Sequence, residues 1–148
     1  EPELSAWIKR QGKDVAVRKV PVAFRDDLLI HSQLFYALES MGRSDLHAKV
    51  MDAMHVSKKK LLSEAEITDW VGSQGVDTQA FLKAFKSFTV TSKARSGNQI
   101  AQAYRIDGVP TVAIQGKYIT SPSIAGGSKA RAIQVMDYLV EKARKEKR

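Results

Sequence analysis

Gly108-Val109-Pro110-Thr111 sits between Ile106-Asp107 and the run Val112-Ala113-Ile114-Gln115, and the reading of the fold depends on it. The chain continues through Gly116-Lys117 into Tyr118-Ile119-Thr120, which predicts a tight hairpin with strands over 111–115 and 118–120 and Gly116-Lys117 as its turn. Proline pushes the residue before it into extended geometry, and X-Pro bonds in general are mostly trans. Here a β-branched residue precedes Pro110, a β-run follows at once and a hairpin comes next, so the expectation is a cis bond. Such a bond would leave the Val109 N–H and C=O at a strand edge, open to an extended peptide by strand addition.

Working outward, Ser128 is placed to cap a closing helix through Ile133, Met136, Leu139, Val140 and Ala143. At the other end, Pro2 at a first helical position, Leu4, Trp7 and Ile8 at helical spacing and then Gly12 predict a short helix that starts at or before residue 1. Residues 14–22, with Val15-Ala16-Val17-Arg18-Lys19-Val20 closed by Pro21, read as a β-strand. From Asp26 the pattern is helical for some eighty residues. A first helix runs through Leu34, Phe35, Leu38 and Met41 to Gly42, and Ser44 is expected to cap a second through Leu46, Val50 and Met54. Ser63-Glu64-Ala65-Glu66 forms a capping box before Ile67, Trp70 and Val71; Asp77 opens a helix with Phe81, Leu82 and Phe85 inside; Thr91 to Arg105 is the last. The order predicts an α/β protein with a helical insertion.

At 148 residues, 43% of them apolar, the chain suits one domain with an inserted subdomain, and no apolar run is long enough to span a bilayer. Lys and Arg outnumber Asp and Glu by 24 to 16, which favours acidic partners. Much of the excess lies in Lys58-Lys59-Lys60 and in the terminal Lys142, Arg144, Lys145, Lys147 and Arg148, where it reads as solvated helix ends. Basic residues are not interleaved with aromatics and no nucleic-acid module is present, so no nucleic-acid partner is expected. Zero cysteine excludes a disulfide or a thiolate–metal site within this chain. His47, Met51, Met54 and His55 could line one helical stripe, but methionine at helical spacing usually fills a core; no metal and no cofactor are expected. Neither a nucleophile elbow nor a phosphate loop occurs.

Taken together, these segments resemble the DsbA family of thiol–disulfide oxidoreductases, thioredoxin-fold proteins with a helical domain inserted in mid-fold. Glu1-Pro2-x-Leu4 resembles the segment after the family's Cys-Pro-His-Cys motif, and Val17 to Phe24 its next strand. Trp70 to Phe88 resembles the later inserted helices, and Gly108 to Thr111 with Gly116-Lys117-Tyr118 the cis-proline loop and hairpin. The resemblance implies a thioredoxin-like portion over residues 1–25 and 101–148 and an inserted helical domain over 26–100. It also implies a periplasmic enzyme that donates disulfides to unfolded or reduced secreted polypeptides and is reoxidised by a membrane oxidase of the DsbB type. By position, Pro110 would lie beside the sulfurs, Val109, Pro110 and Thr111 would bind substrate, and Glu1 and Lys19 would tune the charge nearby.

The family's Cys-x-x-Cys motif and the strand leading into it are expected just ahead of Glu1, so that this chain is the C-terminal portion of a longer enzyme and is inactive as it stands. Residues 14–22 and 111–115 would then each lack a ladder partner. Two alternatives share the fold: a non-catalytic peptide-binding protein without the cysteines, and a glutathione-using isomerase or transferase of the same build.

Overall fold

The computed structural model describes residues 2–147, and the structural statements below concern these. In chain order they form α1 (Pro2–Arg10), a 3-10 turn at Asp26–Leu28, α2 (Leu29–Ser40), a second 3-10 turn at Ser44–Leu46, α3 (His47–His55), α4 (Glu64–Ser73), α5 (Thr78–Phe85), α6 (Phe88–Ala103), β1 (Val112–Ile114), β2 (Tyr118–Thr120) and α7 (Lys129–Glu146). They divide into two compact units. The residues up to Arg18 join those from Ile106 onward, and Lys19–Arg105 make the other.

The Lys19–Arg105 unit is helical because its punctuation works locally. The Ser63 hydroxyl accepts from the Glu66 N–H at 3.1 Å, the Asp77 carboxylate from Gln79 and Ala80 at 3.0 and 3.3 Å, and the Ser87 hydroxyl from Val90 at 3.2 Å. Each satisfies a donor that a helix start leaves open and contributes about 1 kcal/mol. Across the unit, Leu34, Leu38, Leu46, Leu61, Ile67, Val71, Phe81, Phe85 and Val90 bury their side chains in one core. Removing each from water is worth roughly 1.5–3 kcal/mol.

Three local expectations are corrected in this unit. The last helix begins at Phe88 rather than Thr91, because Ser87 supplies the cap. Ser44 caps nothing: it lies inside the 3-10 turn, and neither that turn nor α3 has a side-chain cap. The third concerns the strand expected over 14–22, which spans both units. Residues 15–23 join no ladder and have no regular structure, since β propensity favours an extended backbone but only a neighbouring strand makes a ladder. Within this unit the end of that segment is held against α6. The Ala23 N–H donates to Asn98 Oδ1 at 2.9 Å, and Gly97 lets the Pro21 carbonyl approach to where a Cβ would lie 2.4 Å from its oxygen.

In the other unit, Trp7, Met136 and Val140 form the buried cluster, with Leu4, Ile8, Val15, Val112, Ile114 and Ile133 packed around it. α7 faces it with Ala132, Met136, Val140 and Ala143, and its Ser128 cap accepts from Arg131 N–H at 3.1 Å. β1 and β2 pair antiparallel, Val112 with Thr120, Ala113 with Ile119 and Ile114 with Tyr118. The turn sits one residue earlier than expected. Gln115 and Gly116 both take positive φ (55° and 67°) and the Lys117 N–H returns to the Ile114 carbonyl at 3.1 Å, the combination that matches the twist of a hairpin.

Candidate functional site

The loop between α6 and β1 carries three of the expected site residues. Past Ala103 the helix closes through Tyr104 and Arg105, whose N–H groups return to Ile100 and Gln102, and Arg105 takes a positive φ of 53°. That turn ends the helix and starts an irregular stretch through Pro110. The Val109–Pro110 peptide is cis, as the sequence led us to expect. Thr111 Oγ1 donates to the Gly108 carbonyl at 2.6 Å, a hydrogen bond across the loop that ties its exit to its entry.

Val109 is 62% exposed and Pro110 is exposed, while Thr111 is half-buried. An apolar residue at that exposure, followed directly by a β-strand, is a surface that an apolar partner can cover. β1 pairs with β2 alone, so its second edge has no ladder partner among the described residues. Backbone donors and acceptors along an unpaired edge are the groups to which an extended chain adds itself. Chemically, the arrangement can hold a peptide; with no cysteine in the chain it supplies no thiol or disulfide of its own.

Two further site residues were expected, Lys19 and Glu1. Lys19 is exposed and belongs to the Lys19–Arg105 unit. Glu1 lies outside the described residues. The histidine and methionine stripe resolves into separate roles: His47 stacks on Phe35 with ring centroids 4.1 Å apart and has Nε2 3.2 Å from the Phe35 carbonyl oxygen, and Met54 packs on the helical core. Met51 and His55 are exposed, and no group of three or more His, Asp or Glu gathers among the described residues to hold a metal ion.

Sequence reasoning missed what anchors α1. Trp7 is only 3% exposed, and its indole Nε1–H donates to Asp137 Oδ1 at 2.7 Å, linking α1 to α7 within their unit. The signal was divided between two residues 130 positions apart: a tryptophan at an inner helical position, whose N–H needs an acceptor when buried, and an aspartate beside the apolar stripe of α7.

A family model described as the DSBA-like thioredoxin domain matches residues 3–134. The thiol:disulfide interchange protein DsbA of Burkholderia cepacia is 40% identical over 148 residues, covering 99% of this chain and 69% of that protein. Its counterpart from Bordetella pertussis is 39% identical over 145 residues, covering 98% and 69%. Among solved structures, the crystal structure of Pseudomonas aeruginosa DsbA superposes with a TM-score of 0.90 at 34% identity, over 98% of this chain and 76% of that one.

Proposed function

Since the chain belongs to the DSBA-like thioredoxin domain family, we propose that the protein it represents is a periplasmic thiol:disulfide oxidoreductase that passes disulfides to unfolded or reduced secreted polypeptides. The observation that carries this reading is the exposed Val109-Pro110 turn, with half-buried Thr111 after it, leading into a β1 edge that is unpaired among the described residues, in a family whose curated relatives are disulfide interchange proteins. Domain organisation follows the same reading, with residues 26–100 as the inserted helical domain in a thioredoxin-like portion of residues 1–25 and 101–148.

In this mechanism the backbone of Val109 pairs with an extended substrate and so holds a substrate cysteine beside Pro110, while the Thr111 hydrogen bond to Gly108 keeps the loop in shape for docking. The redox sulfurs come from a Cys-x-x-Cys pair ahead of Glu1. A substrate thiolate attacks the enzyme disulfide and forms a mixed disulfide, releasing one enzyme thiolate. A second substrate thiolate then displaces the remaining enzyme sulfur, so the substrate leaves oxidised by two electrons and the enzyme is left as the dithiol. A DsbB-type membrane oxidase accepts those electrons and restores the disulfide. The positive end of the α1 dipole favours the thiolate form of a cysteine placed just before it, which makes the enzyme sulfur a good leaving group. Glu1 and Lys19 adjust the charge around that thiolate.

The test joins the encoded upstream segment to this chain and measures disulfide transfer to a reduced peptide carrying two cysteines. Transfer by the intact protein, with none by the 148 residues alone, is the expected result. An intact protein that binds the peptide but transfers nothing would replace this reading with that of a peptide-binding protein.

A further inference from the structure

α7 presents a second surface, independent of the redox reading. Its inner positions are Ala132, Met136, Val140 and Ala143, and along an outward flank of the helix runs a row made of Arg131, Val135, Tyr138, Lys142 and Lys145, spaced i, i+4, i+7, i+11 and i+14. At a rise of 1.5 Å per residue the row is about 21 Å long. Tyr138 is 65% exposed and Val135 half-buried, and with Arg131 and Gln134 they line a shallow recess of about 260 Å³.

The charge along the row is of one sign. Its three charged residues are cations, and the two carboxylates at its margins are each held elsewhere. Glu141 lies 3.4 Å from an Arg144 nitrogen, while Glu146 accepts from the Tyr118 hydroxyl and lies 3.6 Å from Lys117. Lys147 stands close enough to Asp14 to help hold that carboxyl below its usual value, and Arg144 binds the same carboxylate through two nitrogens at 2.7 and 3.1 Å. Lys142 itself lies over the Tyr118 ring, 4.9 Å from its centre, and beside the Glu146 carboxylate, so Arg131 and Lys145 are the cations of the row left to attract anions from outside, on a face that stays net positive.

We infer that this face of α7 docks on an anionic phospholipid surface. The row fits a bilayer better than other polyanions for three reasons. Two of its three cations are lysines, strongly hydrated point charges suited to diffuse attraction, rather than guanidinium forks matched to individual phosphates. Its one exposed aromatic ring carries a hydroxyl, which suits the headgroup level of a membrane. A single ring offers no succession of stacking platforms for nucleic-acid bases.

Sedimentation of the purified full chain with vesicles tests the assignment. The chain should bind vesicles of mixed phosphatidylglycerol and phosphatidylcholine, not phosphatidylcholine alone, and release as salt shortens the screening length. Replacing the three cations together (R131Q, K142Q, K145Q) should lower the partition coefficient about 100-fold, and Y138S should lower it severalfold. The triple variant K58Q, K59Q, K60Q removes the same charge from the helical unit and should leave binding within about threefold of the parent, since its lysines lie off the row. Thermal unfolding of each variant checks that it is folded. An equal loss in both triple variants would show that only net charge matters and overturn the inference. So would absence of vesicle binding, or tighter binding to duplex DNA or to an acidic peptide at the same ionic strength.

Discussion

Gly97 illustrates what one side chain decides here. It is buried on α6, where the Pro21 carbonyl oxygen comes to 2.4 Å from the position a Cβ would take and Val20 Cγ1 to 3.3 Å. The obstacle is backbone, not the end of a flexible side chain, so a methyl group cannot be accommodated by a rotamer change. Gly97→Ala should therefore destabilise the Lys19–Arg105 unit by roughly 1–3 kcal/mol, although alanine is the better helix former. Urea unfolding followed by helical circular dichroism measures it, and an unchanged or raised midpoint would show that residues 20–23 do not rest on α6. Next to it, Asn98 accepts the Ala23 N–H, which has no ladder to join. This pair of neighbours replaces, for one stretch of chain, the order that a strand partner would have imposed.

At the scale of the elements, α7 is tied at its C-terminal end by polar groups. Arg144 reaches Asp14, and Glu146 meets Tyr118 and Lys117, while the Lys142 ammonium lies 4.9 Å from the centre of the Tyr118 ring. The Arg144 hydrogen bonds hold the Asp14 carboxyl below its usual pKa of 3.8. A carboxyl whose pKa is lower in the folded than in the unfolded chain stabilises fully above the unfolded value, and that contribution is lost as pH falls through the folded one. The melting temperature of the parent should thus exceed that of Asp14→Asn at about pH 5, and the two should converge as pH falls below the range in which the folded Asp14 carboxyl titrates. Both members of the pair are well exposed, so added salt should narrow the gap at the higher pH. Parallel curves across the whole range would exclude Asp14 as the group that titrates.

Across the whole molecule the two units differ in how much they bury. Sixteen buried residues make up the helical core, against three in the cluster of Trp7, Met136 and Val140 among the described residues. The chain's two tryptophans fall one in each, Trp7 in the smaller cluster and Trp70 in the larger. Fluorescence therefore reads the units separately: Trp70→Phe leaves Trp7 as the reporter and Trp7→Phe leaves Trp70. The Trp7 signal should be lost at lower urea than the Trp70 signal, because hydrophobic stabilisation scales with the apolar area removed from water. Coincident midpoints would mean that the chain unfolds as one cooperative body.

The helix starts at Ser63, Asp77 and Ser128, the hairpin and the cis bond at Pro110 were legible in the amino-acid sequence because each depends on interactions within a few residues, although Ser44 and Thr91 were misread as starts. Ser63 reaches Glu66, Asp77 reaches Gln79, and the β-run after Pro110 turns back on itself through Gln115 and Gly116. Resemblance in the order and spacing of these segments also led to the family that the comparisons bear out. Residues 14–22 were misread as a strand by the same local logic: Val15, Val17 and Val20 favour an extended backbone, yet a ladder needs a partner that no local pattern supplies. Likewise, the Trp7–Asp137 hydrogen bond and the seating of Pro21 on Gly97 join residues 130 and 76 positions apart. Backbone preference and capping act over one or two helical turns and so are written in the sequence directly, whereas contacts between distant segments exist only once packing brings them together.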